Sequence, residues 1–490
     1  MIVDEWSSQM TTRTQEALTK APVVIVGAGP VGLAAAAHLV RRGQRVVVLE
    51  AGDTVGANVA QWAHVRFFSP WKYSVDTASR ELLEAQGWKE PDPDAFPPGR
   101  DLVEQYLVPL AATPELAPVI RLGSRVVAIA RRGYDKMKTA GRDKAPFLVQ
   151  AQDAHGRTES LLARAVIDAS GTWTSPNPLG ASGVPAIGEN ELGDDIAYGI
   201  PDVLGADRAR YAGRHVLVAG SGHSAFNVIV DLATLAQAEP ETRITWVIRR
   251  PADGQLFGGG VDDDLPARGA LGQHVRELVE AGALRVVAGF RTLETRKTAA
   301  GLEVIGERDG GPNADSVAET LPLVDTIIAG TGFRPDLTVD NELRLSLDPA
   351  TESPVALAPL IDPNVHSCGT VPPHGATELA HPEHDFYIVG MKSYGRAPTF
   401  LLLTGYEQVR SVAAALAGDW ESARDVQLVL PETGVCSTNF GNDACCGAAC
   451  QTEAAPTLVT VEPRRSGKPV GIPVTAGSAQ SAQAAGGCCS

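Results

Sequence analysis

Residues 22–50 read PVVIVGAGPVGLAAAAHLVRRGQRVVVLE. An apolar run meets Gly27, and an alanine-rich stretch over 31–42 then stops at Gly43, a residue that takes the left-handed helix-terminating conformation. A second apolar run ends on Glu50. This is the pattern of a βαβ unit. Within it, Gly27-Ala28-Gly29-Pro30-Val31-Gly32 gives each glycine a mechanical task. Gly27 makes the tight turn, Gly29 lets a pyrophosphate approach the backbone, and Gly32 lets helix and strand pack closely. The helix N-terminus turns partial positive charge toward the phosphates. Glu50, with Ala51 beside it, stands where an acid accepts both ribose hydroxyls.

A second unit follows. HVLVA (215–219) meets Gly220, a helix is expected over 224–236, and ITWVI (244–248) is the next strand. Its cradle reads Gly220-Ser221-Gly222-His223-Ser224-Ala225, with alanine in the third glycine place, and its second strand runs into Arg249-Arg250 where an acid could stand. A guanidinium pairs with a 2′-phosphate that a carboxylate would repel, so this pocket favours NADPH over NADH. Between the units, 125–130, 147–151 and 164–169 read as short strands of a small antiparallel layer on the first fold. The fold class expected is α/β: two Rossmann-like dinucleotide-binding domains with a cysteine-rich C-terminal tail. The first domain spans 20–195 and resumes over 326–430, the second spans 205–325, and the tail spans 431–490.

The chain has 490 residues, 44% hydrophobic and 20% charged, enough for more than one packed core. A formal charge of -16 opposes nucleic acid and anionic lipid as partners. No apolar run approaches the roughly 20 residues of a membrane helix, and residues 1–20 lack a basic start followed by an apolar block, so a cytoplasmic protein is expected. Cys368 is the only cysteine before Cys436, Cys445, Cys446, Cys450, Cys488 and Cys489. In a reducing compartment this late cluster reads as thiols for a soft metal, a metalloid or redox exchange, and it lacks the paired CxxC spacing of a zinc site. The Ala, Gly, Ser, Thr, Pro and Gln content around those thiols predicts a mobile tail. Cys368 reads either as a small buried hydrophobe or as a thiol facing the site.

Two further segments accompany the cradles. Asp168-Ala169-Ser170-Gly171-Thr172-Trp173 is trailed by Ser175, Pro176 and Pro178, and DTIIAGTGFR (325–334) contains Gly332. Together with the GSGHSA cradle they resemble flavin-containing monooxygenases, a class with two dinucleotide domains. The resemblance implies FAD in the first cradle and NADPH in the second, with Gly171, Gly332 and Gly390 at the FAD domain's joining and closing segments. It also implies hydride transfer from NADPH to FAD, then attack by a flavin C4a-hydroperoxide, formed from O2, on a small molecule's lone pair. It puts Trp62, Arg66 and Trp71 at a wall of the flavin ring system, with core packing as the competing reading. The helix expected to start near Gly405 lies by the flavin pyrimidine, with Lys392 and Arg396 either adding charge there or solvated. The crowd of His374, Glu378, His381 and His384 reads as a solvated loop in preference to a metal site.

Departures from the class matter. The Phe-x-Gly-x-x-x-His element expected before the second cradle is absent from 197–215 (AYGIPDVLGADRARYAGRH), and the body has no CxxC or CxxxxC dithiol. The terminal Cys488-Cys489 pair looks like the thiol handoff of mercuric reductase. As a whole the chain resembles flavoproteins of bacterial arsenical resistance, which oxidise trivalent methylated arsenic to the pentavalent form. A metal or thiol reductase working through the tail cysteines, an amine or siderophore N-hydroxylase, and a non-catalytic metalloid sensor are the alternatives. No catalytic residue is singled out.

Overall fold

The computed structural model describes residues 21–250, 254–257, 266–308, 316–363, 371–397 and 400–428. The chain begins with β1 (Val23–Val26), α1 (Pro30–Arg41), β2 (Val46–Leu49), α2 (Thr77–Glu84) and β3 (Ile120–Arg121). Next come β4 (Arg125–Arg131), β5 (Phe147–Gln152), β6 (Thr158–Ala163), β7 (Ala165–Asp168) and β8 (Ile196–Tyr198). The second unit holds β9 (His215–Ala219), α3 (His223–Ala238), β10 (Arg243–Val247), α4 (Pro266–Glu280) and β11 (Arg285–Val287). It continues through β12 (Phe290–Thr298), β13 (Gly301–Arg308), β14 (Val317–Thr320) and β15 (Thr326–Ala329), and the chain closes with β16 (Phe386–Ile388) and α5 (Leu402–Leu416).

Two five-stranded sheets result, ordered β16-β7-β1-β2-β3 and β11-β10-β9-β15-β8, with every pairing parallel. The central strands are apolar throughout because both sheet faces are covered: all four residues of β1, β7 and β15 are buried. In each sheet the strand order reverses around the first strand of its unit, β1 or β9. Ligands of open α/β sheets bind beyond the carboxyl ends of strands at such a point. Gly27 and Gly220 stand one residue past those ends.

Two expectations shift. Residues 164–169 do not complete the antiparallel layer: β7 lies between β1 and β16 in the first sheet, and the layer is β4-β5-β6. A strand buried on both faces cannot sit in a half-solvated layer, whereas β6 leaves most of its residues to solvent. A second antiparallel layer, β12-β13-β14, caps the other unit. The boundaries also move, since β8 and β15 both pair within the second sheet, so the chain leaves the first sheet after Asp168 and turns back toward it only past Ala329. The expected tail and all seven cysteines lie outside the described residues. Among the described residues no helix is long and apolar enough to cross a membrane.

Alanine sets the depth at which α1 sits. Ala34 to Ala37 are all fully buried and share one core cluster with Ala413, Ala414 and Ala415 of α5, side chains small enough to let the two helices approach closely. A charged knot fastens the β4-β5-β6 layer to the segment before β16. The buried Glu383 carboxylate accepts from Arg131 Nε at 2.7 Å, from Arg142 Nη1 at 2.8 Å and from the Arg344 backbone N–H at 3.0 Å. The Arg131 guanidinium also lies 3.6 Å over the Phe147 ring.

Candidate functional site

The two glycine cradles are built alike. Gly27 has φ +97° and a Cβ there would stand 2.8 Å from the Ala169 carbonyl oxygen; Gly220 has φ +123° and its Cβ would stand 2.2 Å from the Gly330 oxygen. In each case the turn presses on the first residue past a neighbouring strand, β7 or β15. Gly29 and Gly222 cap α1 and α3 with extended backbone, no side-chain cap and no acid in the first helical turn. A Cβ on either would meet no protein atom within 4 Å. First-turn N–H groups lacking any acidic partner, with open approach, suit an anion. Both sites therefore fit the pyrophosphate of a dinucleotide.

The third glycine place differs between the cradles in what surrounds it. In the first cradle a Cβ on Gly32 would stand 2.0 Å from the Gly27 carbonyl oxygen and 3.5 Å from the Ala169 methyl; in the second, Ala225 faces Gly330, whose own Cβ would come 3.1 Å from both the Cβ and the backbone N of Ala225. Backbone closes the first contact, and the methyl and backbone of Ala225 together close the second. Gly330→Ala is accordingly expected to weaken NADPH binding about tenfold, and adding Ala225→Gly to restore it only in part, because the Ala225 N and Cα stay 3.1 and 3.2 Å from the new Cβ, read by NADPH fluorescence titration.

Glu50 ties its cradle together. One carboxylate oxygen accepts from Ala28 N–H at 2.7 Å and the other from Gly52 N–H at 2.8 Å. Each oxygen keeps a lone pair for a ribose hydroxyl. Ala51 is exposed beside it. Beyond β10, the exposed Arg249 donates to the Ala181 carbonyl at 3.1 Å, and the half-buried Arg250 donates to that of Leu256 at 2.9 Å. Trp246 Nε1 donates to the Gly220 carbonyl at 2.7 Å, fixing the second turn from behind.

An aromatic row bridges the two units. Gly171 (φ +73°) and Gly332 (φ +83°) open the segments that follow β7 and β15, and each is followed by an aromatic residue, Trp173 and Phe333, whose rings stack at 4.6 Å. Trp62 lies 6.3 Å from Trp173, whose indole N–H donates to Gln61 Oε1 at 2.8 Å. Phe68 sets its edge against His223, the first residue of α3, at 5.0 Å. Trp62 thus joins partners that motif reading passed over, although both follow the motif glycines in sequence. Trp71 is a core residue, and Arg66 is exposed and donates to the Phe96 carbonyl at 2.6 Å.

The closing segment removes one of the two readings of Lys392. Lys392 is not solvated: it is buried and donates to Asp168 Oδ2, to Ser170 Oγ at 3.3 Å and to Asp340 Oδ2 at 3.4 Å. Burial and then the Asp168 carboxylate push Asp340 up to about 8. Burial acts in the same direction on Asp168, but the Lys392 ammonium outweighs it and holds that carboxyl below the usual range. Arg396 pairs at the surface with Glu352 at 2.9 Å. Nor do His374 and His381 belong to a solvated loop. Both are buried; His374 meets the Pro372 carbonyl and Gln408 Nε2, and His381 accepts from Ser346 N–H. Among the described residues no three His, Cys, Asp or Glu side chains are grouped to hold a metal ion. The tail thiols Cys436, Cys445, Cys446, Cys450, Cys488 and Cys489, and Cys368, lie outside those residues.

Residues 25–85 match the NAD(P)-binding Rossmann-like domain family. A ferredoxin–NADP reductase of Salinispora arenicola is 30% identical over 329 residues, 66% of this chain and 78% of that protein. A flavin-containing monooxygenase of Arabidopsis thaliana is 23% identical over 252 residues, 46% of this chain, so the match spans half of that relative's length. Among solved structures, the FAD-bound cadaverine monooxygenase of Erwinia amylovora superposes with a TM-score of 0.58 at 13% identity, covering 86% of this chain and 99% of that one.

Proposed function

Because this chain belongs to the two-dinucleotide-domain flavoproteins, FAD- and NADPH-dependent oxidoreductases that include its reductase and monooxygenase relatives, we propose that it is a monooxygenase acting on a soft nucleophile. The substrate proposed is a trivalent methylated arsenical, oxidised in the cytoplasm to its less thiophilic pentavalent form. The observation that carries this reading is the distribution of cysteine. None precedes Cys368, so the two cradles and the strands around them offer no dithiol to receive the flavin's electrons, while six thiols gather from Cys436 onward. An acceptor from solution, O2, suits the first fact, and capture of a thiophilic centre suits the second.

The chain's own residues have separable tasks. The first turn of α1 and Glu50 would hold the pyrophosphate and ribose of FAD; the first turn of α3, with Arg249 and Arg250, would hold the pyrophosphate and 2′-phosphate of NADPH. Bound FAD supplies hydride acceptance and, once reduced, activation of O2. Trp62, Trp173 and Phe333 would shield the junction from water. The overall balance is methylarsenite, O2, NADPH and a proton going to methylarsenate, NADP+ and water: arsenic loses two electrons, NADPH loses two, and O2 gains four.

Methylarsenite is expected to raise NADPH oxidation at least about tenfold over the unstimulated rate, with one NADPH and one O2 consumed per pentavalent product. Arsenite, a dialkyl sulfide and a primary amine serve as comparison substrates. A second reading, reduction of an electron carrier, is favoured by the 30% identity to a ferredoxin–NADP reductase. It prevails if methylarsenite leaves the rate unchanged while ferredoxin is reduced under anaerobic conditions. If anaerobic Hg(II) or disulfide reduction is lost on replacing Cys488 and Cys489 by serine, the tail is the electron outlet.

A further inference from the structure

We infer that Lys392 is a positioning residue for the flavin cradle, a buried charged cross-link that adds to the β7–β16 ladder between the two segments against which that cradle is built. On one side stands Ala169, the neighbour of Asp168: its carbonyl lies 2.8 Å, and its methyl 3.5 Å, from where Cβ atoms of Gly27 and Gly32 would be. On the other stands Gly390, two residues before Lys392, whose Cβ would come 3.3 Å from the Val31 side chain on the first turn of α1. The Gly390 N–H is held by Gln408 Oε1 of α5 at 2.7 Å. The glycine turn and the helix start are thus each gripped by a backbone segment; the β7–β16 ladder, ending with Val389 N–H donating to the Asp168 carbonyl at 2.9 Å, joins the two through backbone, and the Lys392 side chain adds the charged link.

The chemistry explains why lysine stands there. An ammonium has three N–H donors, and three acceptors face it, from Asp168, Ser170 and Asp340. Asp340 follows the segment that carries Gly332 and Phe333, so the same ammonium also anchors the chain's return from the second unit. Asp336, on that return segment, is the other charged group that feels this site. Burial and the Asp168 carboxylate favour the neutral form of Asp340 while Lys392 favours the ionised form of Asp168, so the ammonium's principal counter-charge is Asp168. Asp340→Asn is therefore a near-silent replacement, whereas Lys392→Met leaves a buried carboxylate without its partner.

The inference rests on FAD occupying the first cradle, and the test separates the two. Full-length protein is deflavinated and titrated with FAD, and the second cradle is titrated with 2′,5′-ADP. Lys392→Met is expected to weaken FAD at least about tenfold and to shift the visible absorption of the bound flavin. Asp340→Asn should remain within twofold of wild type, and 2′,5′-ADP binding should be unchanged in both. If Lys392→Met does not fold, Asp168→Asn combined with Lys392→Met removes both charges and provides the same readout. A folded variant that binds FAD within twofold of wild type with an unaltered spectrum overturns the inference, as does an equal loss of 2′,5′-ADP binding. Should Gly32→Ala also keep FAD, the assignment of the cradle itself has failed.

Discussion

Gly32→Ala is expected to yield a colourless protein, with FAD affinity reduced at least about a hundredfold, or roughly 2.8 kcal/mol. A Cβ at this position would lie 2.0 Å from the carbonyl oxygen of Gly27, a backbone atom that cannot swing aside. The helix could escape by lifting, but Ala34 to Ala37 are buried without residue against the core shared with α5, so lifting opens that core. The turn yields instead, and with it the N–H groups aimed at the pyrophosphate. Overpacking of this kind costs about 1–3 kcal/mol of stability as well. Gly29→Ala separates the two effects: its Cβ meets no protein atom, so the fold should keep its wild-type urea midpoint while the methyl occupies the pyrophosphate's approach. Retention of flavin by Gly32→Ala, measured by visible absorbance of the purified protein and by FAD titration, would falsify the placement of the cofactor.

Which parts of this architecture are legible in the sequence follows from the range of the interactions involved. The two βαβ units are local: apolar runs, glycine turns and alanine-rich helices lie within some thirty residues of each other, and β1, β2 and β9 fall where the runs do. Residues 164–169 show where locality ends. Three short strands in succession look like one layer, but only β4 and β5 belong together with β6, while β7 inserts beside β1. The clue was present in the unbroken apolar character of Ala165, Val166 and Ile167, which a half-solvated layer does not need. Lys392 was harder. A lysine beside Gly390 reads as a surface residue until Asp168 and Asp340, both far away in the chain, are brought to it by β7 and by the return from the second unit. The close approach of Ala169 to Gly27 and of Gly330 to Ala225 lies between these extremes, visible only when the two cradles are aligned with the strands they press upon.

Glu383→Gln is expected to cost about 3–5 kcal/mol of stability, the consequence of leaving buried cations without their anion. Glu383, Arg131 and Arg142 are all buried, and the one carboxylate answers both guanidiniums. Carbonyls take three further donors, Ala145 and His384 from Arg131 and Glu342 from Arg142. Glutamine keeps the shape and one acceptor oxygen but removes the charge, so the loss measures electrostatics and not a cavity. The pH dependence carries its own sign. Burial tends to raise the Glu383 carboxyl, but the Arg344 N–H and the two guanidiniums outweigh it and hold the group below its ordinary 4.5. A depressed carboxyl stabilises the fold above its unfolded pKa, and that contribution disappears as pH falls through the folded value. The wild-type protein should therefore lose stability below about pH 4.5 in a way that the glutamine variant does not share. Arg142→Met gives the contrast, because it leaves Glu383 paired with Arg131 and removes a guanidinium whose Nε is buried with no hydrogen-bond partner. Its urea midpoint should fall less than that of Glu383→Gln. Equal losses in the two variants would mean that shape, and not charge, fastens the layer to the flavin sheet.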